Sequence, residues 1–401
     1  MLLLDLTHTS HTRARTGIQR VARSLQQHLG EQAVSITRDP FLGAWRPLER
    51  WELANLASSQ GGEKRKAQWP ASAKWRGRLR RALGRTRHRA LTGDFEGLIV
   101  PELFGPPVAR DFPKLFAHVT GPRIALFMDA IPLRFPELTP PGTVARFPGY
   151  LRELLRFDGV AAISEESRDS LRGYWRWLGI SNPPPVVALP LGVDLANVGG
   201  TSGRVAAART SQPDASAPSS WPTVLCVGTL EGRKNHLQLL EACELLWSRN
   251  ASFRLQVIGH VNAETGGAAL ARLRTLQAAG RPIRYAGPGT DDHIVDAYSG
   301  CAFTIYPSVA EGFGLPVIES LARGKPCICS AHGALGEISR DGGCVALEKL
   351  DAAQLASAIS SLLESPSTLS NLATVARSRR FKSWADYSRE LIAWMQSVPR
   401  R

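Results

Sequence analysis

Glu311-Gly-Phe-Gly-Leu-Pro-Val-Ile-Glu319 sets two carboxylates on either side of a glycine-rich turn. A strand-like run, residues 302–306, precedes it, and a helical pattern follows. The same arrangement occurs upstream. Residues 224–227 feed the charged turn Gly228-Thr-Leu-Glu-Gly-Arg-Lys-Asn235, and a second helical pattern follows that. Open α/β sheets build ligand sites at such strand-to-helix turns, because free backbone N–H groups and the helix dipole face the crevice there. An anionic, sugar-bearing ligand suits both turns together.

Each turn offers its own chemistry. In the first, Gly228 and Thr229 lead to Arg233 and Lys234 at the start of a helix. Side-chain charge and backbone amides act together at that position. Cleaving a nucleotide-sugar bond builds charge on the departing diphosphate, which preorganised cations stabilise. The plainer alternative is two solvated charges at a helix end. In the second turn, Gly312 and Gly314 let the backbone approach a ligand closely. The helix opening near Leu315 aims its amides at the same place, past Phe313. Glu319, about one turn inside, is placed to accept two ribose hydroxyls, and Glu311 in the loop to hold sugar hydroxyls. A simple pair of acids at a helix start is the alternative, and the glycines argue against it.

At 401 residues the chain is too long for one ordinary core, so two domains are expected. Lys plus Arg number 49 against 35 Asp plus Glu, a net charge of +14 that predicts attraction to phosphates. All six Cys (226, 243, 301, 327, 329 and 344) fall in the second half, several inside apolar runs where a free thiol behaves as a small hydrophobe. Cys327 and Cys329 sit near His332, but no four-ligand spacing appears, so no metal is expected. Nor does the spacing suggest a disulfide scaffold, and a reducing cytoplasm is the expected setting. The opening residues 1–6 lack the basic region of a signal peptide and read as a first strand. No run approaches the length a membrane span requires.

Strand-like and helix-like segments alternate, which argues for an α/β fold with parallel sheets covered by helices. In the first half, strands are expected at 2–6, 97–100, 123–127 and 159–163, and helices at 17–29 and 165–178 with Ser164 as N-cap. From 198 to 220 the composition turns to Gly, Ser, Thr, Ala and Pro, which reads as a linker. The alternation then restarts at 223–227 and ends in an amphipathic helix near 385–394. The expected domains are 1–195, a linker at 196–220, 221–384, and a last helix at 385–401.

One segment departs from this pattern. Between Glu63 and Arg89 lie eleven Lys or Arg and a single acid, with Trp69, Trp75, Leu79 and Leu83 interleaved. Lys64, Arg65, Lys66, Lys74, Arg76, Arg78, Arg80 and Arg81 suit an anionic membrane surface. A disordered, solvated insertion and a nucleic-acid-binding segment are the alternatives. No nucleic-acid-binding signature accompanies the charges, so a nucleic-acid partner is not expected.

Taken together, the first turn with its following His236, and Tyr306-Pro-Ser-x-x-Glu-Gly-Phe-Gly-Leu-Pro-x-x-Glu-x-Leu-Ala-x-Gly-x-Pro326, resemble glycosyltransferase family 4. Shorter echoes are Thr16-Gly-Ile-Gln-Arg-Val21, Asp158-Gly-Val-x-x-Ile-Ser164 and Leu189-Pro-Leu-Gly-Val-Asp194. The resemblance implies a GT-B fold, two doubly wound Rossmann-like domains facing across a cleft. It also implies retaining, metal-independent sugar transfer with no cofactor beyond a nucleotide-sugar co-substrate. Donor binding would fall to residues 221 to about 380 and acceptor binding to the first domain. Arg233 and Lys234 would bind the diphosphate and Glu319 the ribose. Glu311 with the Phe313 and Gly314 backbone would hold the donor sugar, and Gly17 would let the first loop close over the phosphates. The last helix would cross back onto the first domain.

One position departs from the family. Many relatives carry His-Asp after a middle strand of the first domain, where this chain has Met128 and Asp129. Met neither donates a hydrogen bond nor titrates; Asp129 remains to orient a hydroxyl. His8 and His11 are candidates to substitute. The expected catalytic set is therefore Glu311, Asp129, Arg233 and Lys234. The Gly-Thr-Leu-Glu-x-Arg-Lys-Asn form resembles that of mannosyltransferases, which implies mannose from GDP-mannose. A lipid-linked oligosaccharide in polysaccharide assembly, at the inner membrane face, is the expected acceptor. The alternative is a nucleotide-sugar-binding protein whose Met128 records impaired catalysis.

Overall fold

Thirteen strands form two sheets among the residues that the computed structural model describes, 1–14, 16–58, 67–84, 91–193 and 220–401. The first sheet contains β1 (Leu2–Asp5), β2 (Ala33–Asp39), β3 (Ala44–Pro47), β4 (Gly97–Val100), β5 (Arg123–Phe127), β6 (Gly159–Ala162) and β7 (Val186–Ala188). Their order is β3-β2-β1-β4-β5-β6-β7, and only the β2–β3 pair is antiparallel. Leu3, Leu98, Ile124 and Val160 are wholly buried, as expected where helices cover both faces of a parallel sheet. Helix Gly17–Leu29 follows β1, opened by a capping box between Thr16 and Gln19. Helix Glu165–Trp177 begins as the sequence predicts, with Ser164 Oγ accepting from Ser167 N at 3.1 Å.

This sheet anchors a compact unit of Met1–Ala130, Ala145–Gly192 and Trp384–Arg401. The last helix, Trp384–Ser397, therefore belongs with the first strands and not with the residues just before it. Glycines make room for it. A Cβ at Gly97 would run into Met395, and one at Gly159 would lie 2.8 Å from the Trp394 ring. Asp158 adds a polar lock, accepting from Arg123 Nε at 2.7 Å and from Arg401 N at 2.7 Å.

The second sheet contains β8 (Thr223–Val227), β9 (Arg254–Ile258), β10 (Ile283–Tyr285), β11 (Phe303–Tyr306), β12 (Cys327–Ser330) and β13 (Cys344–Leu347). It is parallel throughout, in the order β10-β9-β8-β11-β12-β13. Its core joins Leu239, Cys243, Leu246 and Trp247 of helix His236–Trp247 to Leu355, Ile359 and Leu362 of helix Ala352–Glu364. The cysteines are free thiols, all but Cys344 buried.

The second unit comprises Ile131–Val144 and Val193–Ser383. Residues 131–144 depart from the expected boundary at 195. Leu138 explains why, because its Cδ2 would lie 3.5 Å from a Cβ at Gly232. The basic segment also departs from one expectation: residues 71–82 form a helix instead of a disordered insertion. Lys64, Arg65, Lys66 and most of the linker lie outside the described residues. No described helix is long and apolar enough to cross a membrane.

Candidate functional site

The order of the second sheet decides where a ligand can sit. From β8 the chain proceeds outward to β9 and β10; from β11 it proceeds the other way, to β12 and β13. Strands β8 and β11 are neighbours, with Phe303 opposite Val224. Their C-terminal ends therefore flank the topological switch point, where open α/β sheets leave a crevice. Both charged turns lie there.

After β8, Gly228 N bonds Ile258 O at 2.8 Å, and Gly259 comes so close to Gly228 that a Cβ there would strike the Gly228 carbonyl. A short 3-10 turn, Gly232–Lys234, then ends at Asn235 in the left-handed region, φ 56°. Asn tolerates that conformation better than most residues. Its Nδ2 donates to Leu350 O at 2.9 Å, fixing the turn before helix His236–Trp247 starts. Thr229 is half-buried beside it.

After β11, the loop 307–314 is tied to the first turn by Val309 N donating to Arg233 O at 2.8 Å. Gly314 has φ 101°, and a Cβ there would meet Leu335 and Ile338, so only glycine fits without a shift. Helix Leu315–Ala322 then begins, with Phe313 and Leu315 buried and a proline in its first turn.

Between the two turns the structure brings together Arg233, Lys234 and Glu311. Arg233 Nη1 donates to Glu311 Oε2 at 2.7 Å and to Ala310 O at 3.0 Å, and Lys234 Nζ donates to Glu311 Oε1. Arg233 Nη2 pairs further with Glu231 at 2.8 Å. Burial raises the Glu311 pKa, but the two adjacent cations outweigh it and hold the group at about 2. Glu311 is thus an anion that fixes two cations at the switch point. That pairing adds to the expectation from sequence, which placed Glu311 against sugar hydroxyls and in the catalytic set.

His236 opens the helix that follows the first turn, within electrostatic reach of Lys234 and Glu311. It is 3% exposed, and neither ring nitrogen has a hydrogen-bond partner. Burial first, then the charge of Lys234, push its pKa down to about 3, with Glu311 opposing, so the ring is neutral. Sequence reading quoted this residue but gave it no role. The adjoining Lys-Asn-His run was the available signal.

Glu319 stands on the second turn of helix Leu315–Ala322, half-buried near Tyr298. Burial and then the Glu319 charge raise the Tyr298 phenol well above its ordinary value. Tyr298 Oη lies 2.7 Å from Tyr306 Oη and donates to Pro316 O at 3.3 Å, which buttresses the helix start.

The remaining candidates belong to the other unit. Gly17 opens its helix with open space where a Cβ would be. Met128, 5% exposed, directly follows β5, and its carbonyl accepts from Ser167 Oγ at 2.8 Å. Asp129 is half-buried, close enough to Tyr150 to help raise that phenol's pKa after burial. His11, one of the two candidates to substitute, is not a free loop imidazole. It is 2% exposed, lies tilted against Trp69 at 4.0 Å between ring centres and bonds Glu52 Oε1 at 2.8 Å. His8 lies 3.5 Å from Gln19 Nε2. Among the described residues no group of three His, Cys, Asp or Glu is arranged to hold a metal ion.

Residues 209–379 match the family model for glycosyl transferases group 1. The serotype-specific mannosyltransferase WbdA of Escherichia coli is 26% identical over 354 residues, 85% of this chain and 40% of that protein. The O-antigen chain mannosyltransferase B of Escherichia coli is 35% identical over 123 residues, 30% of this chain and 32% of that protein. The chain thus spans 40% or less of the length of these relatives. Among solved structures, sucrose-phosphate synthase from Thermosynechococcus elongatus matches with a TM-score of 0.64 at 16% identity, covering 99% of this chain and 98% of that one. Anabaena Alr3699/HepE, solved in complex with UDP and glucose, matches with a TM-score of 0.65 at 13% identity, covering 99% of both chains. Two Rossmann-like sheets, charged turns at the switch point of the second, and these likenesses lead to one assignment: the chain has the GT-B fold, and its residues 209–379 are similar to the glycosyl transferases of group 1.

Proposed function

We propose that this chain moves a hexose, mannose from GDP-mannose before any other, from a nucleotide sugar to a saccharide hydroxyl with retention and without a metal ion. The observation that carries the reading is the cluster of Arg233, Lys234 and Glu311 at the end of β8 and β11. The mannosyltransferase names of the relatives WbdA and O-antigen chain mannosyltransferase B support the choice of sugar.

In this reading the two cations meet the diphosphate as its negative charge grows, and Glu319 holds the ribose. The bond from sugar carbon to diphosphate oxygen breaks while the acceptor oxygen bonds the same carbon from the same face. The acceptor proton passes to the departing diphosphate, so no protein base is needed. Asp129 orients the sugar or acceptor hydroxyl, and Gly17 lets its loop approach the phosphates. The acceptor is a lipid-linked oligosaccharide at the cytoplasmic, anionic face of a membrane.

The test is nucleoside diphosphate release from GDP-, UDP-, ADP- and dTDP-sugars with lipid-linked oligosaccharides present, wild type beside Glu311→Ala. Release from one donor that needs acceptor, survives EDTA and collapses in the variant is the expected result. Retention is read from the anomeric coupling of the product. Met128, which supplies neither a proton nor a hydrogen bond beside Asp129, favours one second reading, a donor-binding protein with impaired turnover. Donor binding without release, unchanged by Met128→His, would select it.

A further inference from the structure

The basic segment holds none of the donor-site candidates, and its described residues, 67–84, include no Asp or Glu. Helix Ala71–Ala82 packs through its two buried small residues, Ala73 and Gly77. A Cβ at Gly77 would lie 2.8 Å from Phe41 Cβ, so the helix runs close against the 41–42 backbone. Its leading end is pinned by Gln68 N donating to His11 O at 2.7 Å and by Trp69 set edge-on to Phe41 at 5.2 Å.

The opposite side faces solvent. Trp75, Leu79 and Leu83 recur every four residues, which aligns them along one side, and they are 68%, 43% and 57% exposed. Helical spacing sets Lys74 and Arg78 on one flank of this stripe and Arg76 on the other, all exposed. Beside it lies an open groove of about 650 Å³, lined by Pro40, Phe41, Arg78, Arg81 and Ala82. The Arg78 guanidinium sits 5.4 Å above the Phe41 ring, and the Arg81 guanidinium lies 3.6 Å from where a Gly43 Cβ would be. Two cations thus border an apolar floor next to an apolar stripe.

We propose that helix Ala71–Ala82 seats the chain on an anionic phospholipid bilayer. Trp75, Leu79 and Leu83 enter the boundary between headgroups and acyl chains, and Arg78 and Arg81 hold a lipid phosphate in the groove. A helix lying in the plane of a membrane needs large apolar residues flanked by cations, and each cation near such a surface strengthens binding about fivefold. A nucleic acid would fit less well, because the stripe interrupts the track of cations that a polyphosphate backbone follows. Held in this way, the first unit would stay at the surface where a lipid-linked acceptor is found, but the seat does not depend on which sugar is moved.

The test is sedimentation of the full chain with vesicles of phosphatidylcholine, with and without phosphatidylglycerol. The chain should follow the anionic vesicles only, and release as salt rises. The variants Trp75→Ser/Leu79→Ser and Arg78→Gln/Arg81→Gln should each weaken partition about tenfold or more. Their unfolding midpoints and nucleoside diphosphate binding should match wild type, which separates loss of the seat from misfolding or loss of the donor site. Equal binding to both vesicles, no binding to either, or binding unaltered in both variants would overturn the proposal. So would tighter binding to duplex DNA or single-stranded RNA than to anionic vesicles, or competition by millimolar inorganic phosphate that abolishes vesicle binding outright.

Discussion

Glu311 and His236 feel each other's charge yet respond to acid in different windows. The Glu311 pKa is depressed from 4.5 to about 2, so its contribution to stability is complete above pH 4.5 and is lost as pH falls through 2. Glu311→Gln should therefore destabilise the chain near neutral pH by roughly 3 kcal/mol, a gap that closes toward pH 2 in urea titrations. His236 is depressed from 6.5 to about 3 because its buried ring resists charging. Below pH 6.5 the unfolded chain binds a proton that the folded chain refuses, so stability falls from there to pH 3. Asp5 acts against it, since burial raises its pKa to about 7 and folding takes up its proton in part of the same range. The difference between wild type and His236→Phe isolates the histidine. The variant should lose less stability between pH 6.5 and 4.5, by up to about 1.4 kcal/mol per pH unit. At neutral pH it should be no less stable, because it removes two unpaired buried nitrogens. The residue types at both turns were readable from the chain alone. The ion pair was not: Arg233 and Glu311 are 78 residues apart, and they meet only because β8 and β11 are sheet neighbours.

The helix Trp384–Ser397 depends on glycines that an isolated reading of either strand would count as weak points. Gly159→Ala places a methyl 2.8 Å from the Trp394 ring and 3.1 Å from Ile124 Cδ1. The expected cost is about 1–3 kcal/mol, measured by urea unfolding, with faster proteolysis within 384–401. Strands 123–127 and 223–227 and helix 17–29 were legible to the residue, since each repeats one period between clear turn signals. Helices Pro106–Phe116 and Pro141–Glu153 were not, because Pro113 and Pro148 lie inside them. In the first of these, Ala109, Phe112 and Leu115 bury one face, and that packing outweighs the local proline penalty. The hairpin of β2 and β3 was missed as well. Its turn is held by Asp39 Oδ1, which accepts from Phe41 N and Leu42 N at 2.9 Å each, a side-chain device that Asp39-Pro40 hints at without specifying. Strand β7 has only three residues, too few for a period to show.

Each unit has its own buried core, one around Leu3, Phe112 and Trp175 and the other around Leu239, Phe253 and Leu355. The residues expected to meet the diphosphate and ribose, Arg233, Lys234, Glu311 and Glu319, all belong to the second. A nucleoside diphosphate without its sugar should therefore act mainly on that unit. At a concentration one hundred times its dissociation constant, such a ligand stabilises the state it binds by about 2.7 kcal/mol. Hydrogen exchange of the full chain, read by mass spectrometry with GDP, UDP and ADP in turn, locates that stabilisation. With the correct base, protection should rise at 228–236 and 309–319, the two turns at the ends of β8 and β11. Glu319→Ala should reduce it at matched ligand concentration, and the other two nucleotides should leave it near the unliganded level. Peptides covering 16–20 test Gly17 separately, because protection there requires that the first loop also contact the phosphates. Protection at 228–236 alone would keep the diphosphate reading of Arg233 and Lys234 and remove Glu319 from the ribose. Protection confined to the first unit would overturn the assignment of the donor to the second.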